Sequence, residues 1–239
     1  MYNVGNRIMN NWIYAIQDGY VLIDTGYETG FNKLKKQLVL HNINLQDIKY
    51  IFLTHAHDDH AGYLNEVLAA APDAKVVMSC KALDVLNKGQ NSFIGGCTSR
   101  IALLFCKFMK LVGKGEHRFP KLNSYFEDRC ILVSKDNCSQ VEKELCGRII
   151  DTPGHTADSI SLILKDGSLF CGDAAMNGFP SMNRITIWAE DKELFLRSWL
   201  TIISMKPKMI YPGHGKPFPY TELSCNLEKV RKIELYSLL

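Results

Sequence analysis

Apolar and polar positions alternate along residues 12–17 and again along 20–24, on either side of Asp18-Gly19, a pair that favours the positive φ of a tight turn. The pattern predicts a β-hairpin. From 30 to 41 the period changes. Phe31, Leu34, Leu38 and Val39 recur with lysines between them, the stripe of an amphipathic helix packed on a sheet. Residues 49–53 form a short apolar strand that runs into THAHDDHAG, so that motif begins where a strand ends, the usual place for a ligand in an open α/β fold. Helical spacing over 63–71, a break at Pro72-Asp73 and a strand over 75–78 continue a strand–loop–helix rhythm. Further on, 148–151, 159–164, 168–171 and 208–211 read as strands and 191–205 as a helix. Residues from about 88 to 127 interrupt the rhythm: polar and glycine-rich, then apolar over 101–112, then polar again. They read as a helical lid, as a dimer surface or as core.

Composition narrows the class. With 239 residues, 46% hydrophobic and 22% charged, the chain has ample material for one core, so 1–239 reads as a single domain with 88–127 as the candidate lid. A net charge of +3 demands no polyanionic partner. Lys107, Lys110, Lys114, His117 and Arg118 read as a solvated helix face, or as a grip for an anionic group. The longest apolar run, 101–106, is far short of the roughly 20 residues that span a bilayer. Eight cysteines without a CxxC pair or a secretion signal point to reduced thiols and a cytoplasmic protein. The expected partner is a small-molecule substrate, with no nucleic acid and no membrane; a homodimer is allowed.

Five of the seven histidines fall in three short motifs: His55, His57 and His60 in one loop, His155 in DTPGHT and His214 in YPGHGK. Imidazoles interleaved with carboxylates are the ligands of zinc or a first-row relative. Residues two apart in an extended segment project to the same side, which would aim His55 and His57 at one ion. A helix beginning near Asp59 would turn Asp59 and His60 toward a second. Asp173, after a predicted strand, can bridge through its two oxygens. His155 and His214 also follow strand-like segments.

In these motifs the sequence resembles the metallo-β-lactamase superfamily. H-x-H-x-D-H is His55-Ala56-His57-Asp58-Asp59-His60, followed in order by His155, Asp173 and the Pro-Gly-His-Gly of His214. The resemblance implies a four-layered αββα sandwich. It also implies one metal held by His55, His57 and His155, a second by Asp59, His60 and His214, and Asp173 between them. Asp24 in LIDTG matches an early Asp that organises the site without ligating. The implied activity is that of a metal-dependent hydrolase. A hydroxide bridging a binuclear centre, most simply zinc with iron or manganese as alternatives, would cleave an ester, thioester, lactone or phosphodiester, and Asp59 would orient the nucleophile or relay its proton. Asp173 departs from the ligand set of true class B β-lactamases, and Met176 stands where lactonase relatives carry Tyr. The run after His155 lacks the further His of glyoxalase II relatives, and about 25 residues after His214 leave little room for their helical C-terminal region. Two alternatives use the same scaffold: a mono-iron persulfide dioxygenase and a non-catalytic metal-binding module.

Overall fold

A computed structural model describes residues 1–238. Their contacts divide the chain into two compact units, one of residues 1–91 with 118–148, the other of residues 92–117 with 149 onward. In chain order the first elements are β1 (Tyr2–Asn3), β2 (Trp12–Ile16), β3 (Gly19–Ile23), α1 (Phe31–Leu40), β4 (Ile48–Phe52) and α2 (Asp58–Ala61). Next come α3 (Leu64–Ala70), β5 (Lys75–Ser79), α4 (Ala82–Lys88), β6 (Gly96–Cys97), α5 (Arg100–Leu111) and β7 (Cys130–Val133). They are followed by α6 (Cys138–Glu144), β8 (Gly147–Asp151), β9 (Ile160–Leu164) and β10 (Ser168–Gly172). The last are β11 (Trp188–Ala189), α7 (Lys192–Met205), β12 (Met209–Pro212) and α8 (Thr221–Val230).

The first unit is built on a six-stranded sheet of order β1-β2-β3-β4-β5-β7. The expected hairpin is there, with Trp12 opposite Ile23 and Ile16 opposite Gly19. β3, β4, β5 and β7 are parallel neighbours. Val21, Leu22, Ile51, Phe52, Val76 and Val77 are all buried, which is why these central strands read as continuous apolar runs. Leu34 and Leu38 of α1 are buried, but Val39 is 73% exposed. It lies about 100° round the helix from Leu38 and leaves the stripe expected of it.

The second unit holds a four-stranded sheet of order β12-β10-β9-β8 and the short pair β11-β6. Phe195, Trp199 and Ile202 of α7 are buried with Leu169, Ile210 and Phe218. Asp191 caps α7 by accepting from the Leu194 N–H at 2.9 Å, and the Trp199 indole donates to the Ala174 carbonyl at 2.8 Å. After His214 the chain forms the ten-residue α8, which Leu223 and Val230 anchor in this unit's core.

The interrupting stretch 88–127 is not one body. The chain leaves the first unit after Asn91 and re-enters it at Arg118, where Gln90 and Arg118 form a bridge. α5 belongs to the second unit, with β6 held by Trp188 and by reciprocal Cys97–Tyr236 backbone bonds. No helix among the described residues is long and apolar enough to cross a membrane. None of the eight cysteines takes part in a disulfide among those residues.

Candidate metal centre

In the first unit, β4 delivers the chain to an extended segment ending at His57, whose carbonyl accepts the His60 and Ala61 N–H groups that start α2. His55, His57 and His60 are all buried. The strand-to-helix switch at Asp58 follows the expectation, but the three rings do not diverge: the His55 centroid stands 4.7 Å from His57 and 3.9 Å from His60. Asp59 Oδ1 lies 3.8 Å from His60 Nε2.

Behind these rings sits Asp24, buried and with a left-handed φ of 56°. Its Oδ1 accepts the Thr54 N–H at 2.7 Å, and its Oδ2 faces both the Thr54 hydroxyl and His60 Nδ1 at 2.8 Å. Burial pushes the Asp24 carboxyl up, and the charge and hydrogen bond of His60, then Thr54, pull it back. Hydrogen-bond bookkeeping assigns two tautomers. The His60 Nδ1–H donates to the Asp24 carboxylate. Thr54 gives its one hydroxyl proton to Asp24, so at 3.0 Å from His55 Nδ1 its oxygen accepts. In both rings the lone pair is on Nε2, the nitrogen a metal takes. Asp24 is therefore the organiser that the resemblance implied. Thr54, the relay between it and His55, was not singled out in the sequence, where it reads as an ordinary strand-end threonine.

In the second unit, β10 and β12 run parallel, with Gly172 opposite Pro212, so that Asp173 and His214 emerge at the same edge. The Gly213 N–H donates to the Gly172 carbonyl at 2.8 Å and holds the two exits together. His155 follows β8 in a turn that needs Gly154: its φ is +129°, and a Cβ there would meet the Phe195 nitrogen at 2.2 Å. His155 Nδ1 donates to the Trp188 carbonyl at 2.8 Å, which again leaves the lone pair on Nε2. That carbonyl is a partner no sequence pattern signals. His155, Asp173 and His214 are buried, and Asp173 Oδ2 lies 3.8 Å from His155 Nε2 and 3.5 Å from His214 Nε2.

Those spacings suit a shared cation. Two donors about 2.0–2.2 Å from a tetrahedral zinc stand about 3.3–3.6 Å apart, whereas a good N–H···O bond is about 2.9 Å. His214 and Asp173 fall in the first range, and the two 3.8 Å pairs are a little wider. Each of the seven residues offers one nitrogen or carboxylate oxygen as a ligand atom, the donor types that a divalent ion takes.

Other residues near these motifs have structural roles. Asp58 pairs with Asn91, accepting from its amide nitrogen while the Asp58 N–H donates to the Asn91 oxygen, both at 2.8 Å. Cys171 is buried beside Ala174 and Ala175 in the core. Phe218 is a core residue.

The model of the metallo-beta-lactamase superfamily matches residues 5–92. A metallo-beta-lactamase family protein of Thermus thermophilus has the same fold, with a TM-score of 0.66 at 20% identity over 96% of this chain and 77% of that one. Over residues 5–92 the chain is similar to the metallo-β-lactamase superfamily. Its α/β architecture of several sheets and helices is that of the superfamily's solved members. Another of them, TTHA1623 in a di-iron-bound form, has a TM-score of 0.65 at 19% identity, covering 94% of this chain and 97% of that one. Among curated relatives, beta-lactamase-like protein 2 homolog of Drosophila melanogaster is 34% identical over 89 residues, 37% of this chain. The anaerobic nitric oxide reductase flavorubredoxin of Salmonella arizonae is 42% identical over 67 residues, 28% of this chain. These matches span 26% and 14% of the relatives' own lengths.

Proposed function

We propose that this protein is a metal-dependent hydrolase of the metallo-β-lactamase type that holds two divalent ions. His55, His57 and His155 would serve one, Asp59, His60 and His214 the other, and Asp173 both. The observation that carries the reading is the pair of short approaches to one oxygen, Asp173 Oδ2, from His155 and His214 Nε2. The Nε2 lone pairs of His55, His60 and His155 support it.

When bound, such ions supply Lewis acidity and bring the pKa of water from about 15.7 to about 7. The chain's own residues do the rest. Asp24 Oδ2 holds the Nδ1 proton of His60, Thr54 Oγ holds that of His55, and the Trp188 carbonyl holds that of His155. These contacts keep the rings oriented before a ligand arrives. Asp59, a partly exposed carboxylate at the start of α2, is the group in reach of a proton at this centre. The substrate is an ester, thioester, lactone or phosphodiester of a small molecule, and the ions are zinc. We assign the protein to a reducing, cytoplasmic compartment, which the cysteines without disulfides support.

Metal analysis with a substrate panel tests this. Zinc-loaded protein should bind two ions and turn over at least one substrate, and His57→Ala or Asp173→Ala should lose metal and activity while remaining folded. Full turnover in either variant would sink the assignment. Iron is the second reading, favoured by the di-iron form of TTHA1623. Stoichiometric iron in anaerobically purified protein, with oxygen consumed on a persulfide, would replace hydrolysis by oxidation.

A further inference from the structure

Helix α5 carries its apolar residues on the wrong side for a soluble domain. Every residue from Arg100 to Leu111 except Arg100, Lys107 and Lys110 is apolar, yet Ala102 alone is buried. Ile101, Leu104, Phe108 and Leu111 follow the spacing of one helix face and are 45%, 69%, 59% and 85% exposed. The surface continues beyond the helix through Phe105, whose ring packs edge-on against that of Phe179 with centroids 6.3 Å apart. Phe179 is itself 86% exposed. An amphipathic helix of a globular unit turns such a face inward, so this one is built to meet something.

Charge identifies the occupant. At 100° per residue, Arg100 and Lys107 fall beside the Leu104–Leu111 edge of the stripe, with Lys110 further round. All three are exposed, as is Lys114 beyond the helix, and α5 itself carries no acidic residue, the next being Glu116. In a second copy packed antiparallel along the same stripe these cations would face their own kind, with no carboxylate on the helix to answer them. An apolar face edged only by cations matches a bilayer interface with anionic headgroups, where the side chains enter the acyl boundary and the cations stay among the phosphates. We propose that α5, extended by Phe179, docks this protein on an anionic lipid surface. This departs from the absence of a membrane partner expected of the sequence, in which an exposed stripe over 101–112 reads the same as a core one. The proposal is independent of the metal chemistry.

Co-sedimentation with phosphatidylcholine vesicles, with and without phosphatidylglycerol, tests it. Wild-type protein should partition onto the phosphatidylglycerol vesicles and come off as salt is raised. Leu104→Glu with Phe108→Glu should abolish binding, and Lys107→Gln with Lys110→Gln should weaken it about fivefold per cation. The lysine pair alters no apolar contact, so it decides the matter if the glutamate pair melts early. No binding by the wild type at low salt would overturn the proposal. So would lysine variants that bind like the wild type, or a dimer in light scattering that the glutamate pair converts to monomer.

Discussion

At the scale of single residues, the site depends on which ring nitrogen carries the proton, and Thr54 sets that for His55. Thr54→Val keeps the shape but removes a hydroxyl bonded to both Asp24 and His55. We expect zinc affinity, followed by calorimetry, to fall about 10- to 100-fold, with about 1–3 kcal/mol of stability lost. Unchanged affinity would show that Thr54 does not set the tautomer. Away from the site, the Tyr50 hydroxyl donates to Glu144 at 2.8 Å; burial, then that carboxylate, push the phenol up to about 12. Glu144 is held low by Gln140 first and by Tyr50. A phenol that keeps its proton longer when folded contributes stability that is whole below about 10 and is lost as pH rises through about 12. Denaturation between those values should show a loss that Tyr50→Phe removes. The metal-ligand candidates were legible because histidine and aspartate carry their chemistry in their type. Their partners, a threonine hydroxyl and the Trp188 carbonyl, were not, since those act through position alone.

At the scale of elements, the central strands and α7 declared themselves by apolar runs and spacing, and their observed limits lie within a residue or two of those expected. α8 did not: Leu223, Leu227 and Val230 keep the spacing of one helix face, but spacing alone left open what that stripe packs against. The same ambiguity hid the exposure of α5, because periodicity says that a stripe exists and not what covers it. The turn after β8 is more constrained than its sequence suggests. Gly154→Ala would force a left-handed backbone and drive Cβ into the first turn of α7 at Phe195. Thermal unfolding should show a loss well above the roughly 1 kcal/mol of an unstrained glycine change, with His155 displaced and metal binding weakened. A variant as stable as the wild type would contradict the contact.

For the whole molecule, composition suggested one core, and contacts group residues 92–117 with the C-terminal unit and 118–148 with the N-terminal one. Sequence order alone cannot reveal that exchange, because each stretch reads as locally ordinary. Metal bound at the candidate donors is linked to folding. Zinc at about one hundred times its dissociation constant should then raise stability by about 2.7 kcal/mol. A chelator should reverse the shift. An unchanged unfolding midpoint in saturating zinc would count against bound ions.

The hydrogen-bonded exits of β10 and β12 have one more consequence. Asp173 and His214 are far apart in the chain, yet their spacing is set by the strands beneath them and not by the intervening residues. Segments inserted or exchanged around Phe179 to Ile187 would leave these two side chains where they are. Selection, or an engineer, can thus rewrite the intervening loop without disturbing the pair.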